Sequence, residues 1–349
     1  MSILTDYKYG ENGSTTEQTA IKQAIAETMV SQSEFLSVLD FDELTDNNIS
    51  RQRMYKSSDV QEHAPGDTWT IVNPVWEFRD APLTILGDNV TVDNFGALAG
   101  GDREDALMAS NIAEKARGLS RRFDKLAIYA GTTSTGALKS SNMVGLLIHI
   151  ARVEGAAVTD LDGWLYTGND GAANNTQAVF AASGASAALN IAMLSSLRDA
   201  VDKATHIMMS KLMRRKTEDL YRATGNNLMV GGGKLGEIIA MFGDQRVLVN
   251  NEIKDNMDDS SALVTAIASY DTTQAIAALK DTSPIFAFNI SKTGFCGING
   301  KGMIQVENLG GGGPLENLDA KGKRIKAYLG MALRQHKSAA VLLNANYAG

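Results

Sequence analysis

The sequence predicts an α+β protein with one mixed central domain, preceded by segments that have no hydrophobic core of their own. Three observations support this fold class. A long amphipathic helix is expected near 103–130, helices and strands alternate from about 189 to 290, and strand patterns return towards the end of the chain. The 349 residues are enough for one large domain or two ordinary ones.

The composition is that of an ordinary globular protein, with 44% hydrophobic and 21% charged residues. The net charge of -7 argues against a protein whose main task is to grip nucleic acid, because tight phosphate binders are usually basic. The only cysteine, Cys296, cannot form an intrachain disulfide, which fits a reducing cytoplasm. The sequence shows neither a signal peptide nor the run of roughly 18 apolar residues that a membrane helix needs, so we expect no membrane partner.

The first predicted element is an amphipathic helix near 16–39. Ser14 followed by Glu17 forms a capping box, and apolar residues then recur at helical spacing. The single apolar stripe must bury against another surface, which a neighbouring subunit could supply. The candidate contact residues on this stripe are Ile21, Ile25 and Met29.

Residues 55–100 predict an extended, two-stranded excursion, because short β-favouring runs alternate there with proline and glycine. A lone hairpin is marginally stable in water, so its aromatic residues would need a partner surface. An ordinary edge hairpin folded onto its own domain is an equally good interpretation. The candidate contacts between subunits in this segment are Trp69, Trp76, Phe78 and Arg79.

The strongest secondary-structure prediction is the helix that follows Asp102, a good N-cap, and ends before Gly131. Its apolar positions follow one another at steps of three and four residues, while the opposite face is charged. The helix would be about 40 Å long, more than twice the usual length.

A turn-rich loop at 131–145 leads into the alternating part of the chain. The predicted helices there are 189–204, 211–224 and 272–280. The predicted strands are 205–210, 246–250, 285–290, 302–307, 324–334 and 339–343.

No pattern in the sequence predicts catalysis, a metal site or a bound cofactor. Gly231 to Gly236 matches the dinucleotide pattern G-x-G-x-x-G, but a good preceding strand, a long following helix and a ribose-binding carboxylate are missing. We therefore favour a glycine turn over a nucleotide site at 231–236. The histidines His63, His149, His206 and His336 lie in dissimilar contexts without metal-ligand spacing.

The order of the elements resembles that of tailed-bacteriophage major capsid proteins with the Hong Kong 97-type fold. An arm precedes a β excursion, a long spine helix follows, and a mixed domain and returning strands complete the chain. The resemblance spans nearly the whole chain and rests on arrangement, carried by the segments 119–131, 145–147, 206–210, 212–220, 242–253, 324–333 and 338–342.

The resemblance implies a structural protein that assembles with itself into pentamers and hexamers, and then into a virion shell around DNA. It implies an N-terminal arm at 1–54, an E-loop at 55–102, a peripheral domain with the spine helix at 103–145, an axial domain at 146–314, and return strands at 315–349. The expected partners are further copies of the chain, a portal, decoration proteins and weakly held, non-specifically contacted DNA.

Two departures from the family qualify these expectations. Some members join E-loop lysines to asparagines of other subunits, but no lysine lies between Lys56 and Lys115 here, so we expect a non-covalent shell. Residues 1–54 are too short for a built-in scaffolding segment, so a separate scaffolding protein is expected. An encapsulin-like shell around a cargo enzyme, or a nucleotide-dependent enzyme that uses 231–236, remain the alternatives.

Overall fold

The structure is a computed structural model that describes residues 17–44, 49–56, 62–68, 75–93, 103–129, 143–147, 149–150, 178–180, 187–223, 229–232, 238–255, 281–309 and 319–347. Its helices include α1 (Glu17–Gln32), α2 (Glu34–Val38), α3 (Arg103–Tyr129), α4 (Ile191–Asp199) and α5 (Lys211–Ala223). Its strands are β1 (Phe41–Glu43), β2 (Ile49–Lys56), β3 (Val75–Pro82), β4 (Thr84–Asp93), β5 (Ala178–Phe180), β6 (Ala187–Ala188), β7 (His206–Met209), β8 (Met229–Gly232), β9 (Ile238–Phe242), β10 (Gln245–Val249), β11 (Ile285–Phe288), β12 (Phe295–Asn308), β13 (Ala320–Leu333), β14 (Ala339–Leu343) and β15 (Ala345–Asn346).

A mixed seven-stranded sheet forms the first layer, with the strand order β5-β14-β11-β7-β10-β9-β8. Successive side chains point to opposite faces of a strand, and two inner strands of this sheet, β11 and β14, are buried on both faces. Ile207 and Met209 of β7 pack with the helices α4 and α5 on one side. Met208 packs with Phe286 and other residues of the main core on the other side. The strands β11 and β14 are apolar throughout because neither of their faces meets water.

A four-stranded sheet, ordered β1-β12-β13-β4, lies against the long helix α3. Strands β12 and β13 pair antiparallel, with a shift of register between Asn299 and Ile304. The residues Val90 of β4 and Ile325 of β13 face the apolar side of α3, and Lys115 of α3 forms an ion pair with Asp88 of β4. Helix and sheet therefore form two layers around one core.

Phenylalanine side chains join the two sheets at their meeting point. The ring centroid of Phe35 in α2 lies 6.4 Å from that of Phe123, 5.9 Å from that of Phe288 and 6.3 Å from that of Phe295. These rings come from α2, α3, β11 and β12, and each side chain is buried. The short helix α2 is thus part of the main core.

Most of the predicted elements are confirmed. The long helix expected near 103–130 is α3, with 27 residues. The structure also has β7, α5, β10, β11 and β14 close to the predicted bounds. The strands predicted at 302–307 and 324–334 correspond to β12 and β13. Both are longer than predicted, and they pair with each other along most of their length. The predicted helix at 272–280 lies outside the described residues.

The predicted helix at 16–39 is wrong in its continuity, because the helix breaks at Ser33. The backbone of Ser33 is extended, and its hydroxyl oxygen accepts a hydrogen bond from the backbone N–H of Leu36. Serine favours such N-cap positions because it satisfies a donor that the new helix leaves free. The break turns the chain so that Phe35 enters the core.

The predicted excursion at 55–100 is correct in its hairpin and wrong in its bounds. Strands β2 and β3 pair antiparallel from Ile49 opposite Pro82 to Lys56 opposite Val75. The hairpin therefore begins within the segment assigned to the arm. The last predicted strand, near 90–92, belongs to β4, which pairs with β13 in the four-stranded sheet.

Gly297 lies beneath the ring of Phe41, and this contact gives a stability prediction. A Cβ atom on Gly297 would lie 2.6 Å from two ring carbons of Phe41, closer than real Cβ contacts. We expect Gly297→Ala to lower the free energy of unfolding by about 1–3 kcal/mol, because the buried ring must move. Gly118→Ala is the matched control. Nothing lies within 4 Å of a Cβ there, and the helix should gain about 0.5–1 kcal/mol. Urea unfolding of both variants checks the pair, and equal effects would contradict it.

Candidate functional site

The hairpin of β2 and β3 lies outside the two large sheets. It forms a two-stranded sheet of its own, and its main contacts with other described elements are to β13 near its base. The register places Trp76 opposite Tyr55 and Phe78 opposite Arg53. An isolated hairpin is marginally stable in water, so this one is suited to lie on another surface.

The sequence-predicted contact residues fall into different environments. Trp76, Phe78 and Arg79 lie in β3 of the hairpin, while Trp69 lies outside the described residues. The strand β3 pairs with β2, whereas the arm helix α1 lies along α3. Their role as contacts between subunits stays a prediction.

The apolar stripe of the arm is covered from within the chain, contrary to the sequence-based expectation. Ile25 is 1% exposed and Met29 is fully buried, and both pack into the main core. The reason is that α1 lies along α3 and shares its apolar face. These two residues therefore need no neighbouring subunit to leave water.

Ile21 has a different position from the other two stripe residues, because it is half-buried. It lines a groove of about 460 Å³ between α1 and α3, together with Met108, Ile112 and Lys323. Within the predicted stripe, it is the residue that keeps apolar surface open to a partner.

A polar junction inside the apolar interface holds the arm to α3. The hydroxyl of Ser33 donates to a carboxylate oxygen of Asp124 at 2.7 Å, and the hydroxyl of Ser120 donates to the carbonyl oxygen of Met29 at 3.0 Å. Asp124 is 8% exposed. Burial raises the pKa of Asp124 to about 7, although the hydrogen bond from Ser33 lowers it, and the negative charge of Glu252 raises it further.

The sequence-based predictions do not include this junction, although the sequence contains a signal for it. Ser120 and Asp124 are four residues apart, beside the apolar positions Leu119, Phe123 and Ala127. Polar residues at the border of an apolar helix stripe indicate a buried hydrogen bond, but not the identity of its partner. Ser33 lies 91 positions away from Asp124 along the chain.

The exposed face of α3 carries a group of cations in its second half. Arg117, Arg121, Arg122 and Lys125 are exposed. Arg117 forms an ion pair with Glu114 at 3.3 Å, and within the described part of the chain the other three take part in no ion pair. We call these four residues the basic stripe.

The glycine segment near 231–236 lacks the geometry of a dinucleotide site in its described part. Gly231 and Gly232 lie in β8, which pairs antiparallel with β9. Phosphate binding by this pattern needs a helix directly after the glycines, and the structure has the strand Ile238–Phe242 in that place. The nucleotide-dependent alternative therefore loses its structural basis.

Two further titratable groups, His206 and Cys296, have pKa values displaced by burial. Burial lowers the pKa of His206 to about 4, with a smaller effect from the charge of Arg246. Burial raises the pKa of the Cys296 thiol to about 11. Across the described ranges, no group of three or more histidine, cysteine, aspartate or glutamate residues could hold a metal ion. In the same part of the chain, no helix is both long and apolar enough to span a membrane.

The sequence matches no family model and no curated protein, but its structure is similar to solved structures over nearly the whole chain. A chain of the holo-SrpI encapsulin complex from Synechococcus elongatus is 10% identical with a TM-score of 0.59, covering 100% of this chain and 97% of that one. The capsid of a native GTA particle is 12% identical with a TM-score of 0.58, covering 97% and 93%. A chain of Mycobacterium phage Adephagia is 13% identical with a TM-score of 0.50, covering 99% and 98%. At these identities the likeness concerns the fold.

Proposed function

We propose, from the Hong Kong 97-type capsid fold that this chain has, that it is the major capsid protein of a tailed bacteriophage. It assembles with itself into pentamers and hexamers, which close into an icosahedral head around double-stranded DNA. Its role in the virion is structural rather than catalytic. The likeness to the GTA capsid along nearly the whole chain is the observation that carries the proposal.

The parts of the subunit have distinct tasks in this proposal. The hairpin of β2 and β3 is the E-loop, and it lies on a neighbouring subunit in the shell. The peripheral domain consists of α3 and the four-stranded sheet, and the axial domain contains the seven-stranded sheet. Contacts between unlike patches of identical subunits close into rings when the rotation permits.

The full-length protein can be tested directly by negative-stain microscopy and sedimentation. We expect closed particles in the megadalton range, with fivefold and sixfold clusters on their surface. A stable monomer or a small oligomer under all assembly conditions would exclude the proposed function. Assembly is expected to depend on a separate scaffolding protein, so co-expression with the neighbouring genes of the source genome is the second condition.

The hairpin gives a mutational prediction for assembly. The double variant Trp76→Ala/Phe78→Ala is expected to reduce shell formation at least tenfold, because aromatic contacts dominate the energy of many interfaces. Its circular dichroism and unfolding midpoint should stay close to those of the parent protein. The control is Leu107→Ala, which removes a side chain that is 47% exposed on α3. Normal shells from the double variant would remove the hairpin from the interface.

An encapsulin-like shell is the second candidate, because the encapsulin chain matches this chain over its full length. The two functions differ in what the particle encloses and in its other partners. A phage head contains double-stranded DNA, a portal at one vertex and, in some cases, decoration proteins. An encapsulin-like shell contains a protein cargo. Nuclease-resistant nucleic acid in particles from the native source would favour the head, and a single co-purified enzyme would favour the encapsulin.

The prediction of a non-covalent shell cannot rest on an absence of lysine from the hairpin. Lys56 is the last residue of β2, so the hairpin does contain a lysine. We still expect mature shells boiled in detergent to give one band at 37.3 kDa. A ladder of multiples of that mass would contradict this prediction. Its loss in Lys56→Arg would then identify the lysine that forms the bond.

A further inference from the structure

Three of the four cations of the basic stripe, Arg121, Arg122 and Lys125, have no ion-pair partner among the described residues, and the fourth, Arg117, is paired within the helix with Glu114. Arg117, Arg121 and Lys125 are spaced by four residues, so they lie along one line of α3. At 1.5 Å per residue this line is about 12 Å long. One strand of a DNA duplex presents about three or four phosphates over that length. The stripe matches a phosphate backbone in sign and in extent.

Among the residues that the structure describes, the other side of the same two-layer unit shows no such group. On the outer face of the four-stranded sheet, Lys326 forms an ion pair with Glu307 at 2.7 Å, and Arg324 donates to the side-chain oxygen of Asn89 at 2.8 Å. Cations with partners of their own gain less from a phosphate than cations without one. The side chains of Arg324 and Lys326 on the sheet side are thus engaged by neighbours, whereas Arg121, Arg122 and Lys125 on the helix side form no ion pair with a described residue.

Gly118 lies within the stripe and gives a second, independent observation. Glycine inside a helix is destabilising relative to alanine, and the surrounding structure does not require it, because nothing lies within 4 Å of a Cβ at this position. It leaves a gap between Arg117 and Arg122 where a ligand can approach the helix backbone. Glycine is used elsewhere in proteins for such close approach.

We infer that the basic stripe is the surface that contacts the phosphate backbone of the enclosed nucleic acid, and that α3 therefore faces the inside of the shell. This inference rests on the proposed function. Four cations on a protein of net charge -7 provide local, non-specific contact without tight binding. Such contact suits nucleic acid that must enter and leave the particle.

The first test measures binding of a fluorescein-labelled duplex of about 20 base pairs to full-length, unassembled subunits as the salt concentration is varied. Four phosphate contacts predict a slope of log K against log salt near −3.6, at about −0.9 per contact. The triple variant Arg121→Gln/Arg122→Gln/Lys125→Gln should have a slope shallower by about 2.7. The matched control is Lys203→Gln/Lys211→Gln/Arg215→Gln, which removes three exposed cations outside α3 and should keep the parent slope. Equal slopes for both triple variants would overturn the inference.

Gly118→Leu separates the gap from the charges, because it keeps every cation of the stripe. We expect several-fold weaker binding of the same duplex, with the thermal stability of the subunit unchanged or raised. Undiminished binding would show that the phosphate backbone does not use the gap.

The second test locates the stripe in assembled particles. The natural Cys296 is buried, so a cysteine introduced at the surface can be labelled selectively. The reagent is a maleimide attached to a polymer of about 5 kDa, which is too large to enter a closed shell. Arg122→Cys should react with it only after the shell is opened. Thr91→Cys, on the sheet side, should react in intact shells. Labelling of Arg122→Cys in intact shells would overturn the inference.

Loss of shell formation in the stripe triple variant alone would also overturn the inference, because the stripe would then bind another copy or an acidic protein. Absence of shells in the parent protein would instead refute the proposed function.

Discussion

Phe35→Ala is expected to lower the free energy of unfolding of the subunit by about 3–5 kcal/mol. The ring of Phe35 is 2% exposed and lies within 6.4 Å of the rings of Phe123, Phe288 and Phe295, measured between centroids. Removing it leaves a cavity where the arm, the long helix and both sheets meet. Surrounding rings attached to strands cannot collapse into that space without moving the sheets.

Urea unfolding of unassembled subunits measures this effect, since assembly would add stability of its own. Phe35→Leu is the matched variant, and it should cost considerably less, because it retains most of the buried volume. Leu107→Ala is the surface control and should change the unfolding free energy by less than about 0.5 kcal/mol. A loss below about 1 kcal/mol for Phe35→Ala would mean that the arm does not pack on its own subunit in solution.

The place of Phe35 also shows which parts of the arm the sequence can predict. The spacing of Ile21, Ile25 and Met29 indicates a helix with one apolar face, and the structure has that helix. The spacing does not say what covers the face. The covering surface belongs to α3, more than 70 residues later, and contacts at that separation leave no local pattern. The sequence-based choice of a neighbouring subunit was therefore wrong for Ile25 and Met29.

Some strands can be predicted from their own residues, whereas others depend on pairing with residues far away in the sequence. The run Ala339 to Leu343 is apolar throughout, as in a strand that is buried on both faces. In the structure this run forms β14 with the predicted bounds. The start of the hairpin at Ile49 was missed, because Ser50, Arg51, Gln52 and Arg53 are polar. Their strand conformation depends on pairing with β3, which the local composition does not reveal. Long-range pairing likewise decides that β4 joins β13.

The basic stripe was visible in the sequence only as the charged face of a long helix. Alternating signs along such a face usually indicate a solvated surface. The structure separates the two halves, because Lys115 is paired with Asp88 of β4 and Glu114 with Arg117. Only with those partners known do Arg121, Arg122 and Lys125 become a distinct group.

Asp124→Asn is expected to make the subunit more stable at pH 8 and to remove part of its dependence on pH. The pKa of Asp124 is raised by burial from 3.8 to about 7 in the folded protein. Between those two values the folded state binds more protons than the unfolded state, so stability falls as the pH rises. Above pH 7 the whole effect is present, at most about 4 kcal/mol for a shift of roughly three units. Asparagine keeps an acceptor for the hydroxyl of Ser33 without the buried charge.

Urea unfolding of both proteins between pH 4.5 and pH 8.5 tests this prediction. The difference in unfolding free energy between Asp124→Asn and the parent should be largest at pH 8 and shrink towards pH 4. Ser33→Ala should increase the dependence on pH, because it removes the hydrogen bond that lowers the pKa, and it should also lose about 1 kcal/mol of helix capping. A parent protein more stable than Asp124→Asn at pH 8 would mean that the carboxylate is favourably held. The sign of this pH dependence bears on assembly. Ionisation of Asp124 above pH 7 is expected to weaken the attachment of the arm to α3.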